Sequence, residues 1–172
     1  MRKSVLLIGI FIFVTSFTAF TQVNFEEISD NLLQNHLTMQ IGLDYSLVGF
    51  TMVNEMNEPI FSIGTCFLGV VARITLNPPN KWEIQDTAQE ILDDFPTLTQ
   101  ERLQAKTAEK ISGSRSLTFL EFGFFLFPSE YGIFFIPFFG GGVYVPLGTT
   151  SSFLVAHFNL PFIGGIGIIY VF

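Results

Sequence analysis

The chain has 172 residues, of which 49% are hydrophobic and 13% are charged, whereas soluble domains average about 25% charged residues. This length suits one domain, and the shortage of charge indicates a protein that contacts lipid. All 15 acidic residues follow residue 21 and only two basic residues precede it, so the rest of the chain carries six basic side chains and a formal charge of −9. Nucleic acid is not expected as a partner, because phosphate binding needs clustered Lys and Arg.

The first segment, residues 1–21, has the layout of a cleavable export signal. It begins with two basic residues, continues with an apolar run at residues 5–14, and ends in small residues on either side of Phe20. A retained transmembrane helix is the less favoured alternative, because such a helix needs about 20 apolar residues. We expect cleavage near Thr21, which leaves residues 22–172 as a single exported domain.

The next segment changes from a polar lead-in to a strand pattern. Residues 22–36 are expected to be a short helix or an irregular segment. Residues 37–47 then alternate between apolar side chains at odd positions and polar or small ones, including Gln40 and Asp44, at even positions. A period of two over eleven residues predicts a tilted transmembrane strand with one lipid face and one lumen face. An amphipathic helix would not alternate in this way.

Turn sequences divide the apolar parts of the chain at residues 54–59, 128–132 and 148–152. We therefore expect strands near residues 37–53, 59–76, 115–127, 131–139, 142–148 and 153–172. The predicted fold is mainly all-β, an antiparallel transmembrane β-barrel of about six to eight strands. Because a closed single-chain barrel usually needs eight strands, either the longest segments split, as at residues 161–165, or several copies share one barrel.

The charged middle of the chain, residues 77–115, predicts a short helical insertion at about 84–112. Capping boxes at residues 87–90 and 97–100 would start two helices, Pro96 would separate them, and Gly113 would end the second. The insertion follows an even number of strands, so we expect it on the periplasmic side. It is either a solvated connector or a contact surface for a periplasmic partner.

The C-terminal third, residues 116–172, contains no Lys or Arg, and its only charged residues are Glu121 and Glu130. A segment with so few charged residues must be shielded from water, either by lipid or by protein. Its apolar runs are too short for transmembrane helices or are broken by Pro and Gly, and they lack basic flanks. A polytopic inner-membrane helical protein therefore remains only a minority alternative.

The last strand carries the most specific signal. From residue 153 onwards one phase is apolar, while the other carries His157, Asn159 and glycines, and the chain ends on an aromatic residue. This ending resembles the C-terminal insertion signal of bacterial outer-membrane β-barrels over roughly the last ten residues. The matching residues are Ile166, Ile168, Tyr170 and Phe172. The resemblance implies an outer-membrane location and recognition by the barrel-assembly machinery.

Polar residues within the apolar segments are candidates for the barrel lumen. Arg73 is a lone cation in an apolar run, and an ion pair with an acid in the lumen would satisfy both charges. His157 and Asn159 share a strand face, but a hydrolase would also need a serine beside them, so we assign no catalytic residue. The predicted lumen residues are Gln40, Asp44, Arg73, Glu121, His157 and Asn159.

The expected function is an outer-membrane β-barrel of structural, adhesive or scaffolding role, without enzymatic activity. The alternative is a channel of the same fold for small or apolar solutes. No cofactor is expected, and the two histidines and one cysteine show no metal-site spacing. The abundant Phe residues either face lipid or bind an apolar ligand. Expected partners are outer-membrane lipid and the barrel-assembly machinery, with further copies of the chain and a periplasmic protein at residues 77–115 left open.

Overall fold

The structure is a computed structural model, and the described residues are 23–43, 48–66, 69–148, 151–161 and 164–172. The predicted signal peptide and its cleavage point lie outside them. Within the described residues the chain forms three helices and eight strands. In chain order these are α1 (Phe25–Leu32), β1 (Asn35–Gly42), β2 (Val48–Asn54), β3 (Pro59–Cys66), β4 (Gly69–Thr75), α2 (Lys81–Asp94), α3 (Gln100–Ser114), β5 (Leu117–Ser129), β6 (Gly132–Pro146), β7 (Ser152–Leu160) and β8 (Gly165–Val171).

The strands form a closed antiparallel barrel in sequence order. Each strand pairs with the next, and β1 closes the barrel against β8 through the pairs Gln40↔Val171 and Ile41↔Tyr170. The predicted all-β barrel is thereby confirmed, with eight strands. Three predicted strands, at residues 37–53, 59–76 and 153–172, each split into two.

The predicted break between strands at residues 140–141 is wrong. β6 runs without interruption through Gly140, Gly141 and Gly142, which pair with β5 on one side and β7 on the other. At two of these positions the barrel interior has no room for a side chain. A Cβ atom at Gly140 would lie 2.0 Å from a side-chain oxygen of Asn159, and one at Gly142 would lie 2.6 Å from the ring of Phe119. These glycines therefore serve packing inside a strand and do not mark a turn.

The barrel wall has an apolar outer face. On β1 the outward residues Leu37, Met39 and Ile41 are exposed, whereas Gln40 between them is buried. The same alternation continues around the barrel. Exposed apolar residues of the other strands include Val48, Phe50, Met52, Ile63, Ile74, Leu120, Phe122, Phe139, Phe158, Leu160, Ile166 and Tyr170.

All three helices lie at one end of the barrel. α1 leads into β1, and α2 and α3 follow β4, which ends where β1 begins because four antiparallel strands return to the starting end. The helices pack around a buried apolar cluster that includes Ile28, Ile84 and Leu103, and Met56 of the β2–β3 turn inserts into it. We call these helices and that turn the helical cap.

The helical insertion begins earlier than predicted. Thr87 is inside α2, which instead starts after Asn80, whose side chain accepts a hydrogen bond from the Glu83 amide at 3.0 Å. Thr99 is the N-cap of α3, without a side-chain capping bond, so neither predicted capping box forms.

Within the described residues, the long apolar segments form strands, which disfavours the polytopic helical alternative. Among the described residues, no helix combines the length and the apolar character needed to cross a membrane.

Candidate functional site: a charged cluster inside the barrel

Three neighbouring strands position four polar side chains in the barrel interior. Arg73 on β4 is directly opposite Glu121 on β5 in the strand register. His157 and Asn159 are two residues apart on β7, so they face the same side of the sheet. β6, which separates β5 from β7, contributes Gly140 opposite both Glu121 and Asn159. Because a glycine has no side chain, the Glu121 carboxylate reaches across β6 to β7. We call Arg73, Glu121, His157 and Asn159 the interior cluster.

Glu121 is the centre of the interior cluster. One carboxylate oxygen, Oε2, accepts a hydrogen bond from Nε of Arg73. The other, Oε1, lies 3.0 Å from Nδ1 of His157 and accepts a hydrogen bond from Nδ2 of Asn159 at 2.5 Å. The guanidinium of Arg73 also lies over the ring of Phe119, 5.2 Å from its centroid. One carboxylate thus joins β4, β5 and β7 across the interior.

The cluster is shielded from solvent. Glu121 and Asn159 have no exposed surface, and Arg73 is 1% exposed. Buried charges are costly unless they are paired and hydrogen-bonded, and both conditions hold here. Arg73 and Glu121 are also the only Lys, Arg, Asp or Glu residues in the described strands. The barrel therefore keeps its two formal strand charges inside and in contact with each other.

The chemistry available to the cluster is charge compensation and hydrogen bonding. Its groups are a guanidinium, a carboxylate, an imidazole and an amide, and the geometry uses each of them to hold the carboxylate. In the part of the chain that the structure describes, no three His, Cys, Asp or Glu side chains are grouped to hold a metal ion. The absence of catalysis stays a prediction.

The other predicted site residues fall in two places. Gln40 is buried inside the barrel, where its Oε1 accepts a hydrogen bond from Thr51 at 2.5 Å. Asp44 lies outside the described residues. The residues of the predicted insertion signal, Ile166, Ile168, Tyr170 and Phe172, alternate with the inward residues of β8 and share its outer face. The amide of Phe172 still donates to the carbonyl of Met39 at 3.0 Å, so the last residue stays attached to β1.

Sequence reasoning missed the apolar half of the interior. Phe119, Tyr144 and Phe153 form a buried aromatic group on β5, β6 and β7, with centroid distances of 4.4 Å and 6.0 Å between successive rings. Alternation alone does not identify them, because the outer face of the same strands is equally apolar. The inward phase set by Glu121 and His157 was the available signal, since Phe119 and Phe153 lie in that phase.

Sequence reasoning also missed the junction between the barrel and the helical cap. In the β2–β3 turn, Asn54 accepts hydrogen bonds from the amides of Met56 and Glu58, both at 3.0 Å. Burial raises the pKa of the Glu58 carboxyl above its usual value of 4.5, although a hydrogen bond from Asn54 opposes this effect. The available signal was Asn54 at the start of a turn, where its side chain commonly binds backbone amides.

A second contact ties the end of the helical insertion to its beginning. Nη1 of Arg115 lies 2.7 Å from both carboxylate oxygens of Glu83 on α2, and Nη2 donates to the carbonyl of Asn77 at 2.5 Å. Asn77 in turn accepts a hydrogen bond from the Thr118 amide at the start of β5, at 2.6 Å. These contacts hold together the segment in which the chain leaves the barrel after β4 and the segment in which it returns before β5.

No protein-family model, curated protein or solved structure matches this chain.

Proposed function

We propose that the chain is an outer-membrane β-barrel protein of structural, adhesive or scaffolding role, which anchors its helical cap at the periplasmic surface. The observation that carries this proposal is the distribution of polarity, with apolar side chains on the outer wall and the strand charges inside.

The outer wall is suited to lipid and poorly suited to water. Leu37 is 68% exposed, Phe50 is 53% exposed and Phe158 is 58% exposed, and they belong to three different strands. In water this wall would be a large exposed apolar surface, which monomeric soluble proteins avoid. In hydrocarbon the same wall is favourable, and a closed barrel leaves no edge strand whose backbone groups would lack partners. The apolar wall therefore supports insertion into a membrane.

The sidedness follows from the export signal and the chain path. An exported barrel inserts from the periplasm, so an even number of strands leaves both the first and the last strand, and the insertion that follows β4, with their ends on that side. The helical cap, the β2–β3 turn and Phe172 share one end here, and that end also carries most of the charged side chains. An exported chain with this arrangement would expose its charged cap to the periplasm and its apolar wall to lipid.

The interior supports a scaffold over a channel. Arg73 and Glu121 contact each other inside the barrel, and the Phe119 ring covers the guanidinium. A conducting pore needs polar groups that line open space. The described part of the interior instead holds buried side chains that bind one another.

The test is heat modifiability of the detergent-extracted protein on a gel, combined with membrane fractionation. The parent chain should appear in the outer-membrane fraction, and its band should shift on boiling because the folded barrel resists detergent. Deletion of Phe172 should weaken both signals, whereas the matched control Phe172→Tyr keeps a terminal aromatic side chain and should retain them. An inner-membrane band without a heat shift, unaffected by the deletion, would overturn the proposal.

Conductance separates the scaffold from the channel. The purified parent protein, reconstituted in a planar bilayer, should give no stepwise current. Stable unitary steps from the folded protein would overturn the scaffold and favour the channel.

A further inference from the structure

The β5–β6 hairpin extends well beyond the rest of the barrel. β4 pairs with β5 only as far as Phe125, and β7 pairs with β6 only from Phe139 onwards. Among the described residues, the strand pairing of residues 126–138 is confined to the hairpin, and we call these residues the overhang. With about 3.3 Å per residue and a tilt of about 40°, the 13 residues of β5 rise about 33 Å, whereas the seven or eight residues of β1 to β4 rise about 18–20 Å.

Both faces of the overhang are apolar. On the face that continues the outer wall, Ile133 is 65% exposed and Phe135 is 66% exposed. On the opposite face, which lower down carries Glu121, Phe127 is 42% exposed and Phe134 is 54% exposed. The inward phase of β5 thus changes from charged to aromatic above the interior cluster. A hairpin that stood in water would not need apolar residues on both faces.

Polar residues return only at the tip of the hairpin. Glu130 is the single charged residue between Phe122 and Phe139, and it occupies the turn next to Ser129. At the base, the rings of Phe125 and Phe138 stack with their centroids 4.8 Å apart. The apolar part of the hairpin is therefore bounded by the filled barrel below and by a polar turn above.

A proline interrupts the free edge of β5. The carbonyl of Thr118 accepts from the amide of Leu76, so even-numbered residues of β5 direct their backbone groups towards β4. Beyond the end of β4, these residues are Leu126 and Pro128. Pro128 has no N–H group, so this edge offers one amide donor to an incoming strand.

The free edge of β6 is interrupted in the same way. The amide of Leu147 donates to the carbonyl of Ser152, which shows that the odd-numbered positions on this side of the hairpin face β7. In the overhang these positions are Ile133, Phe135 and Pro137, and Pro137 has no donor. Proline on an edge strand disfavours the addition of another strand. A second copy of the chain that extends the sheet is therefore the less suitable occupant.

We propose that the overhang is a lipid-binding element, both of whose faces contact acyl chains. The outward face extends the lipid-facing wall, and the opposite face holds acyl chains that cross the lower rim formed by β1 to β4. Prolines remove one amide donor from each edge, and the edge amides that remain, of Leu126, Ile133 and Phe135, need headgroups or water as partners. We therefore place the overhang at the boundary between acyl chains and headgroups, with Glu130 outermost. This inference rests on the proposed function, since it requires the barrel to be in a membrane.

Fluorescence quenching by lipid tests the proposal on the full chain. Single cysteines are placed in a Cys66→Ala background by the substitutions Phe134→Cys, Phe135→Cys, Phe50→Cys and Glu109→Cys. Each is labelled with a small environment-sensitive fluorophore, and the protein is reconstituted into phosphatidylcholine vesicles that carry a nitroxide on the acyl chain. The first two positions sample the two faces of the overhang, the third is the reference on the outer wall, and the fourth is an exposed position on α3.

The expected result is a loss of fluorescence at positions 134 and 135 that equals the loss at position 50 within about twofold, with little loss at position 109. Quenching at 135 without quenching at 134 would overturn the proposal, because protein would then cover the inner face. Cross-linking of two chains through Cys at position 134 would overturn it in favour of a second copy.

Failure of the inference is distinguishable from failure of the proposed function. If position 50 is quenched and neither overhang position is, the barrel is in the membrane and the overhang is outside the hydrocarbon, which overturns the inference alone. If position 50 is not quenched, the proposed function fails and the inference fails with it. Every variant must show the heat-shifted band, and Phe127→Cys with Ile133→Cys provides a second pair of positions for the two faces.

Discussion

Removal of either charge from the interior cluster should destabilise the barrel strongly, while removal of both should cost much less than the sum. Glu121→Gln leaves the Arg73 guanidinium buried without its counter-charge, and Arg73→Met likewise leaves the Glu121 carboxylate buried without its counter-charge. Breaking one side of a buried ion pair costs about 3–5 kcal/mol. The double variant has no formal charge in the described strands, so its loss should fall at least about 2 kcal/mol below the sum of the single losses.

The free energy of unfolding in urea, measured on the detergent-folded protein by far-UV circular dichroism and by the heat-shifted gel band, provides all four corners of this cycle. Both single variants also change contacts of neighbouring side chains, so the informative quantity is the coupling energy between Arg73 and Glu121. Strict additivity, with a coupling energy below about 0.5 kcal/mol, would refute the reasoning, because the two charges would then be stabilised independently.

Three further predictions concern the glycines and the cap. An alanine Cβ at Gly142 would lie 2.3 Å from a carbonyl oxygen of β7, whereas one at Gly141 would lie 2.8 Å from a carbonyl oxygen of β5. Gly142→Ala should therefore lower the free energy of unfolding more than Gly141→Ala does, by about 1–3 kcal/mol. Equal losses would contradict the packing role of Gly142. Burial raises the folded-state pKa of Glu58, so the contribution of this residue to stability should fall as pH rises from 4.5 through the folded pKa. In urea titrations, Glu58→Gln should flatten this pH dependence and be the more stable form at neutral pH. Parallel curves of stability against pH for the two proteins would contradict this prediction. Arg115→Met removes the 2.7 Å contact with the Glu83 carboxylate of α2 and should cost about 1 kcal/mol. The loss should be observed as faster proteolysis of residues 77–115 while the heat-shifted band persists. Unchanged proteolysis would contradict the proposed role of this contact in holding the helical cap.

The barrel fold could be predicted because its outer face has a simple periodicity. Residues 37–47 alternate so regularly that only a half-buried strand fits them, and the later segments repeat that pattern less regularly. The strand count was harder to obtain. Three pairs of neighbouring strands were merged. Two of the connections, near residues 43–47 and 67–68, contain none of the Gly, Pro or Asn turn signals found near residue 54, whereas the third, at residues 161–165, was named as a possible split.

The glycine run was misinterpreted because its meaning depends on the other strands. Gly140 and Gly142 look like turn residues in a single sequence, and only the register with β5 and β7 shows that large side chains occupy the space beside them. The same limit applies to the interior cluster. Periodicity assigns Glu121, His157 and Asn159 to an inward phase, but their meeting at one height depends on strand stagger, which local sequence does not encode.

The helix starts were misjudged for a local reason. Thr87 and Glu90 have capping-box spacing, but Asn80 follows two prolines and offers its side chain to a free amide one turn earlier. Once α2 starts at Lys81, Nζ of this residue lies 2.6 Å from Oδ1 of Asp30 on α1, and Ile84 belongs to the buried apolar cluster of the cap. Tertiary contacts with α1 thus favour the earlier start.

Charge placement connects the fold with the proposed location. A soluble barrel would have its charged residues outside and would tolerate many of them, whereas the described strands have only Arg73 and Glu121, which face inward and bind each other. In water there would be no reason to exclude charge from so much exposed wall. In hydrocarbon an unpaired charge costs several kcal/mol, so a strand charge is tolerated only inside and with a partner. For the membrane location proposed above, the same constraint accounts for the position of Glu130 in a hairpin turn and for the pairing of Arg73 with Glu121 inside the barrel.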